Sequence, residues 1–229
     1  MRIAISHATT YRYEGALVHA VQALRLTPPS GRGQRVLSWQ VLAPGMDSAA
    51  SYTDAFGNLV HITASRGGSD SFQVLAQGLV ETTDTGGVTG RTDEAATPEL
   101  FRRATPATAA SDAIGALARR VRAADPLSSL HNMMAAVHEE VAYVLDATTP
   151  QTTAAAAFAE RRGVCQDHAH IMIGAARNLG IPARYITGYL LLEDDGAASS
   201  VAQHAWMEGW IAELGWVGFD AANDLCPTD

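Results

Sequence analysis

The sequence has 229 residues, 47% of them hydrophobic and 17% charged, and a formal net charge of −8 at pH 7. A chain of this length forms one large domain or two small ones and can bury a substantial apolar core. Its acidic balance lacks the basic patch that nucleic-acid binding requires, so we expect no nucleic-acid partner.

Cysteine content and hydropathy indicate the cellular compartment. The two cysteines, Cys165 and Cys226, could form one disulfide at most, and such low usage is typical of reduced proteins. The N-terminal segment MRIAISHATTYRYEG has no apolar run of signal-peptide length. No stretch reaches the roughly 18 apolar residues of a membrane helix, so we expect a cytoplasmic protein that does not bind membranes.

Residues 1–84 are predicted to form an N-terminal β region. Segments such as RIAISHATTYRYEG, VLSWQVLAP and SFQVLAQGLVETT alternate small or apolar residues with polar ones, and turn sequences such as PPSGRG and RGGSD separate them. This pattern favours an antiparallel, sandwich-like unit. The sequence FGNLVHI predicts a hairpin with its turn at Gly57 and Asn58.

Residues 85–110 are predicted to be a linker, because TGGVTGRTDEAATPEL is polar, rich in Gly and Thr and without periodicity. Residues 111–229 are predicted to form a separate core, which begins with Ala-rich segments of helical spacing. Three helices are expected: one in SDAIGALARRVRAAD, one in SSLHNMMAAVHEEVAYVL capped by Ser128 or Ser129, and one in TTAAAAFAERRG closed by Gly163.

A fourth helix is predicted to begin near Val164 and to end at LGIP, where Gly180 suits the position after a helix and Pro182 prevents continuation. After it the periodicity changes to two. The segments ARYITGYLLLED, HAWMEGWIAEL and GWVGFDAAN are therefore predicted strands. Helices followed by strands favour an α+β fold for this core.

Cys165 lies in the stretch GVCQDHAH, at the predicted first turn of the fourth helix. The unpaired N–H groups and the positive end of the helix dipole favour a thiolate there, and the same N–H groups can stabilise an oxyanion. Gly163 is expected to let a ligand approach the backbone. A cysteine nucleophile also needs a base and a group that orients the base.

Two downstream strands offer these groups. His204 lies in QHAWMEGW and Asp220 in WVGFDAAN, with a short turn between the two strands. Adjacent antiparallel strands can bring such side chains together, and Asn223 is an alternative to Asp220 for orienting an imidazole. Spacing alone leaves open whether Cys165 is a nucleophile, a buried apolar thiol or a metal ligand.

The combination of GVCQDHAHIMIGAARNLGIPARYITGYL with HAWMEGWIAELGWVGFDAAN resembles the catalytic core of the transglutaminase-like superfamily, in particular the bacterial transglutaminase-like cysteine peptidases. The opening segment MRIAISHATTYRYEGALVHAVQALRLTP is similar to the N-terminal β region of that family, so the resemblance covers nearly the whole chain. It implies a papain-like α+β core in which helices pack on an antiparallel sheet.

The resemblance also implies roles by motif position: Cys165 is the nucleophile, His204 the base and Asp220 the acid that orients the base. It implies acyl transfer from an amide of a peptide or protein substrate, and no metal or organic cofactor. The sequence departs from the family at His168, where a bulky aromatic residue is common, and at Asp229, where family members generally continue through further strands. We therefore expect a core truncated at its C-terminus.

Neighbouring polar residues have simpler interpretations. Cys165, His168 and His170 form C-x-x-H-x-H, but a helix turns the third side chain away from the first two, which disfavours a metal site. His168 is expected to line the cleft near Cys165, and His170 to be a core histidine with a satisfied ring. Asp167 is expected to cap the helix, and Cys226 to be an apolar thiol.

Aromatic and acidic side chains nearby are expected to support the site. Tyr143 and Asp146 are expected to line the substrate groove. The tryptophans are expected to pack the sheet, one of them forming a wall of the cleft: Trp206, Trp210 and Trp216.

Three functional hypotheses follow. We expect a cysteine peptidase or amidase that hydrolyses a peptide or glutamine-type amide. The alternatives are a true transglutaminase, which uses an amine acceptor, and a catalytically idle binding or scaffold protein that keeps the fold. The joint presence of Cys165, His204 and Asp220 favours an enzyme, because a degenerate member is expected to lose at least one of them. The sequence defines neither the substrate nor the oligomeric state.

Overall fold

The computed structural model describes residues 1–192 and 200–227, and the chain divides into two compact units. The first unit comprises residues 1–83 and 93–96, and the second comprises residues 84–92 and the described residues from 97 onward. Among the described residues, α-helices occur only in the second unit, and both units contain antiparallel sheets. The predicted α+β class is confirmed.

The N-terminal unit contains one four-stranded antiparallel sheet. Its strands are β1 (Arg2–Thr27), β2 (Gln34–Leu42), β3 (Ala50–Thr53) and β4 (Leu59–Thr82). Strand β4 is central and pairs with each of the other three. Strands β1 and β4 are longer than the sequence runs predict, because their pairing continues across register shifts between Arg12 and His19.

An apolar cluster and a hairpin organise this sheet. The cluster consists of four buried side chains, Leu24, Val41, Phe72 and Val74. The predicted hairpin connects β3 to β4, with Thr53 paired to Leu59. Gly57 in its turn has φ of 82°, a conformation that glycine adopts without strain. The turn predicted at FGN is therefore confirmed.

The second unit packs four helices against a second sheet. The helices are α1 (Asp112–Val121), α2 (Pro126–Glu140), α3 (Ala154–Glu160) and α4 (Cys165–Asn178). The strands are β5 (Val88–Gly90), β6 (Ala142–Tyr143), β7 (Arg162–Gly163), β8 (Ala183–Leu192), β9 (Ser200–Ile211) and β10 (Gly215–Phe219). The antiparallel sheet has the order β5–β10–β9–β8, while β6 and β7 form a separate parallel pair.

Helix α4 lies at the centre of this unit, where it contacts α1, α2, α3, β8 and β9. Its apolar side chains are fully buried, among them Ile171, Met172, Ile173, Ala175 and Ala176. A helix that is apolar on most of its circumference is typical of a core position. This burial holds the helix against the sheet and so determines where its first residue, Cys165, lies.

Two helix ends differ from the prediction. Helix α2 begins before Ser128, because the Asp125 side chain is the cap and accepts the Ser128 N–H at 2.8 Å; the predicted caps at Ser128 or Ser129 are wrong. Helix α3 ends at Glu160 and is closed by Arg161, which has a left-handed φ of 54°, and not by Gly163. Among the helices of the described residues, none combines the length and apolar character needed to cross a membrane.

Residues 85–110 are more ordered than the predicted linker. Val88–Gly90 form β5, which pairs with β10, and short 3-10 helices occupy Pro98–Arg102 and Pro106–Thr108. Elements of three to five residues are too short to produce a periodic pattern, so no sequence signal marks them. The predicted linker therefore contains these short ordered elements.

Arg177 of α4 attaches the 3-10 segments to the helical core. Its guanidinium donates to Phe101 O at 2.7 Å, Thr108 Oγ1 at 2.8 Å and Ala183 O at 2.8 Å. Burial lowers the pKa of Arg177, but the guanidinium stays charged because its ordinary pKa is so high. One buried cation thus joins the 3-10 segments, α4 and the start of β8.

Replacing Arg177 with Met removes the guanidinium and leaves the carbonyls of Phe101 and Ala183 without this donor, while Thr108 Oγ1 keeps its hydrogen bond to Thr105. Since an unsatisfied buried polar group costs about 1–3 kcal/mol, we expect the free energy of unfolding to fall by about 3 kcal/mol. Urea denaturation followed by circular dichroism measures this change.

The matched control is Arg162→Met. Arg162 forms an ion pair with Glu160, and the two side chains are 55% and 67% exposed. Exposed pairs contribute about 0–1 kcal/mol, so the control should stay close to wild type. Equal losses in both variants would contradict an anchoring role for Arg177.

Candidate active site

The first turn of α4 presents Cys165, which is the first residue of the helix. Asp167 Oδ2 accepts the Val164 N–H at 2.8 Å and the Thr148 hydroxyl at 2.6 Å, so the predicted capping role of Asp167 is confirmed. Gly163 makes room for this cap: a Cβ there would lie 2.6 Å from the Asp167 Cβ. The expectation that Gly163 admits a ligand is therefore replaced by a packing role.

Strand register brings His204 and Asp220 to the same place. Met207 of β9 pairs with Phe219 of β10, so Asp220, the next residue, lies beside the part of β9 that carries His204. Asp220 also forms an isolated bridge with Leu225, which closes the turn after β10. Both side chains are buried, with residue exposures of 8% for His204 and 2% for Asp220.

Hydrogen bonds connect the three residues predicted to be catalytic. His204 Nε2 lies 2.7 Å from Asp220 Oδ2, and the His204 side chain is also hydrogen-bonded to the Cys165 thiol. The Asn223 amide donates to the same Oδ2 at 2.7 Å, and the Ala222 N–H donates to Oδ1 at 3.0 Å. Asp220 is thus the partner of the imidazole, and Asn223 orients the carboxylate instead of replacing it.

The protonation equilibria favour charged partners. Burial by itself would raise the pKa of the Cys165 thiol, but the hydrogen bond and charge of His204, with the N–H groups of Ala205 and Gln166, lower it. Burial would lower the pKa of His204, but its bonds to Asp220 and Cys165 raise it to about 9. Burial opposes ionisation of Asp220, yet His204 lowers that pKa as well. All three shifts act in the direction of a thiolate beside an imidazolium.

Strand β6 brings Tyr143 to Cys165. The Tyr143 hydroxyl lies close enough to Cys165 for the charge of Cys165 to act on its ionisation. Burial and the charge of Cys165 raise the pKa of Tyr143, so the hydroxyl remains protonated at neutral pH. Tyr143 is 50% exposed, its proximity to the sulfur was not predicted, and its place in a substrate groove stays a prediction. Asp146 is exposed on the loop after β6, with φ of 60°.

Two histidines of α4 differ from their predicted roles. His168 is 2% exposed, with Nδ1 at 2.9 Å from Val164 O and Nε2 at 2.9 Å from Val141 O. The prediction that it lines the cleft is wrong, because the chain entering β6 covers this side of α4. His170 packs on Tyr185 with ring centroids 5.1 Å apart, but among the described residues its Nδ1 has no hydrogen-bond partner, so the expected satisfied ring is also wrong.

The tryptophans divide between sheet packing and the wall of the site, as predicted. Trp216 is fully buried and meets Trp210 edge to face, with ring centroids 5.2 Å apart. Trp206 lies nearly parallel to the His204 ring, at 6.3 Å and 26°. Gly188 on β8 makes this position possible, since a Cβ there would lie 2.8 Å from the Trp206 ring.

Cys226 has a different environment from Cys165. It is half-buried against the apolar core, and burial raises the pKa of its thiol. Both cysteines are free thiols. Within the described ranges, no group of three His, Cys, Asp or Glu side chains is arranged to hold a metal ion. In the C-x-x-H-x-H motif, both ring nitrogens of His168 face backbone carbonyls.

Family comparison agrees with this architecture. Residues 115–221 match the transglutaminase-like superfamily, and residues 3–81 match the bacterial transglutaminase-like N-terminal region. These ranges together span most of the chain, and the first includes Cys165, His204 and Asp220. The two matches together assign a transglutaminase-like core and a bacterial transglutaminase-like N-terminal region to the chain, which confirms the predicted family.

Individual relatives cover the chain to different extents. An uncharacterized protein of Mycobacterium leprae is 27% identical over 98% of this chain and 84% of its own length. A protein-glutamine gamma-glutamyltransferase of Pseudomonas aeruginosa is 34% identical over 39% of this chain, which is 14% of that protein.

Solved structures share the fold. A proposed cysteine protease from Cytophaga hutchinsonii superposes with a TM-score of 0.74 at 22% identity, over 98% of this chain and 78% of the other. The periplasmic domain of TgpA from Pseudomonas aeruginosa superposes with a TM-score of 0.50 at 20% identity, over 95% and 90%. These similarities show a common fold for the chain.

The two free thiols give an internal test of the site. The pKa of Cys165 is lowered and that of Cys226 is raised, so at pH 7 limiting iodoacetamide should label Cys165 roughly tenfold faster. His204→Ala removes the imidazolium and should slow labelling of Cys165 by a similar factor. Mass spectrometry of tryptic peptides separates the two sites.

His19→Ala provides the control, because His19 is exposed and lies in the N-terminal unit. It should leave both labelling rates unchanged. Equal rates at Cys165 and Cys226, or a His204→Ala rate equal to wild type, would mean that the thiol of Cys165 is not activated.

Proposed function

We propose that the chain is a cysteine peptidase or amidase that hydrolyses a peptide or glutamine-type amide by means of Cys165, His204 and Asp220. The main support is the hydrogen-bonded series from the buried Asp220 carboxylate through the imidazole to the half-buried thiol. A nucleophile, a base and a group that orients the base are what covalent catalysis at an acyl carbon requires.

Acylation starts from the thiolate–imidazolium pair. Cys165 Sγ attacks the carbonyl carbon of the substrate, a C–S bond forms, and the π electrons of the carbonyl move to its oxygen. When this tetrahedral intermediate collapses, the C–N bond breaks and the His204 imidazolium gives its proton to the departing nitrogen. The products of this half-reaction are an amine and a thioester on Cys165.

The oxyanion of this intermediate is stabilised by the Cys165 N–H and by Tyr143. In the free site, burial and the charge of the adjacent Cys165 raise the pKa of the Tyr143 hydroxyl, so it keeps its proton. A substrate oxygen that enters here accepts the Cys165 N–H and the Tyr143 O–H. Donors placed where negative charge develops are among the largest contributions to acyl-transfer catalysis.

Deacylation reverses the proton movements. Neutral His204 removes a proton from the attacking water, the water oxygen bonds to the acyl carbon, and the C–S bond breaks to restore the thiolate. Asp220 stabilises the imidazolium formed in this step, and Asn223 and Ala222 hold the carboxylate in place. An amine in place of water would give a transferase with the same acyl-enzyme.

A catalytically idle scaffold is less well supported. Burial of a charged His–Asp pair costs several kcal/mol of desolvation, which the pair regains only with good geometry and further hydrogen bonds. A binding protein would gain nothing from holding such a pair against a thiol whose pKa is lowered. The names of two relatives, one a proposed cysteine protease and one a glutamyltransferase, also favour an acyl-transfer enzyme.

An activated ester tests the proposal without knowledge of the natural substrate. With p-nitrophenyl acetate, we expect a burst of one nitrophenolate per chain followed by slow turnover, because Cys165 is acylated first. Cys165→Ala should abolish the burst, and His204→Ala should slow it about 100-fold, within the range for loss of a general base. Intact-mass spectrometry should locate the acetyl group on Cys165.

The acceptor is identified with a glutamine-containing peptide. Incorporation of an added primary amine into the peptide tests transfer, and release of ammonia without any added amine tests hydrolysis of the amide. Cys226→Ala is the matched control and should keep the full burst. A burst that survives in Cys165→Ala would contradict the proposal and favour the scaffold protein.

A further inference from the structure

His168 has an unusual hydrogen-bonding environment for a buried histidine. Its ring is 2% exposed, and both ring nitrogens lie 2.9 Å from backbone carbonyl oxygens, those of Val164 and Val141. A carbonyl oxygen can accept a hydrogen bond but cannot donate one. Satisfying both contacts therefore requires a proton on each nitrogen, which is the imidazolium form.

The surroundings of His168 are suited to a positive charge. The next residue towards the N-terminus, Asp167, is a fully buried carboxylate, and its Oδ1 has no hydrogen-bond partner among the described residues. From the β6 side, the Tyr143 ring lies 6.0 Å from the His168 ring, at 32°. Cys165, whose thiol has a lowered pKa, precedes His168 by one helical turn and so lies on the same side of the helix.

The two carbonyls belong to segments that build the proposed active site. Val164 immediately precedes Cys165, and Val141 lies two residues before Tyr143. Strands β6 and β7 contain only two residues each, and their pairing includes Ala142 N–H to Arg161 O at 2.9 Å. Such a short pair is a weak constraint by itself. The His168 ring adds a buried side-chain connection between the two segments.

We propose that His168, as an imidazolium, is a positioning residue for acyl transfer. By donating to Val141 O and Val164 O it fixes the chain that carries Tyr143 to the first turn of α4, and so sets the Tyr143 hydroxyl against Cys165. The inference rests on the proposed function, since the group that it positions is the oxyanion donor of that reaction.

Two reagents separate positioning of the oxyanion donor from activation of the thiol. Acylation by p-nitrophenyl acetate passes through an oxyanion, whereas alkylation by iodoacetamide is a displacement at carbon and does not. His168→Phe keeps a ring and removes both donors. We expect the acylation rate of Cys165 to fall about tenfold, which is less than the loss caused by removing an oxyanion donor outright. The alkylation rate should change by less than about twofold, because no oxyanion forms in that reaction.

A double-variant comparison tests whether His168 acts through Tyr143. Tyr143→Phe should lower acylation by about 100-fold, and the combination with His168→Phe should be no slower than Tyr143→Phe alone, since residues that act through one group are not additive. His168→Gln retains one donor and should recover part of the lost rate. Losses that multiply independently would overturn the proposal, as would equal losses in acylation and alkylation.

The protonation state is measured separately in the wild-type protein. Long-range ¹H–¹⁵N spectra at pH 7 should show both ring nitrogens of His168 carrying protons, with the signals assigned from their absence in His168→Phe. A ring with one bare nitrogen would overturn the proposal whatever the reaction rates of the variants. Failure of the proposed function gives a different result from failure of the His168 proposal. Wild-type Cys165 would then not be acylated, although the His168 spectrum would be unchanged.

Discussion

The buried hydrogen bond between His204 and Asp220 is the contact on which the candidate site depends. At 2.7 Å, it allows an imidazolium to exist in a place where burial alone would favour the neutral ring. That cation in turn lowers the pKa of the Cys165 thiol against the same effect of burial. Without the carboxylate, the pKa of the ring would be lower and that of the thiol higher. The ionisation of Cys165 therefore depends on Asp220, which acts through His204.

This contact constrains the fold around it. The β9–β10 register must be correct, because a slip of one residue would turn His204 to the opposite face of the sheet. Helix α4 must stay buried against that sheet for its first residue to meet the imidazole. Asn223 and Ala222 must hold the carboxylate from the turn after β10. The relative positions of Cys165, His204 and Asp220 therefore depend on sheet register, helix burial and turn geometry together.

Much of this arrangement could be predicted from the sequence, and the reason differs for each part. Helices and strands of the core have clear periodicity, and Cys165, His204 and Asp220 stand in distinctive motifs. The Asp125 cap and β5 were missed because short local signals compete with neighbouring Ser, Gly and Thr residues. Tyr143 and His168 could not be assigned contacts, because they depend on how the two-residue β6 packs against α4. Such tertiary contacts leave no periodic trace in the sequence.

The measurement that tests the thiolate–imidazolium pair most directly is the pH titration of the His204 ring by NMR, with its signals assigned from a His204→Gln variant. The midpoint should be about 9, because Asp220 and Cys165 raise it from the ordinary 6.5 against the effect of burial, and it should be lower in Asp220→Asn. A His204 midpoint at or below 6.5 in the wild-type protein would contradict this account, because a neutral imidazole could not hold Cys165 as a thiolate at neutral pH.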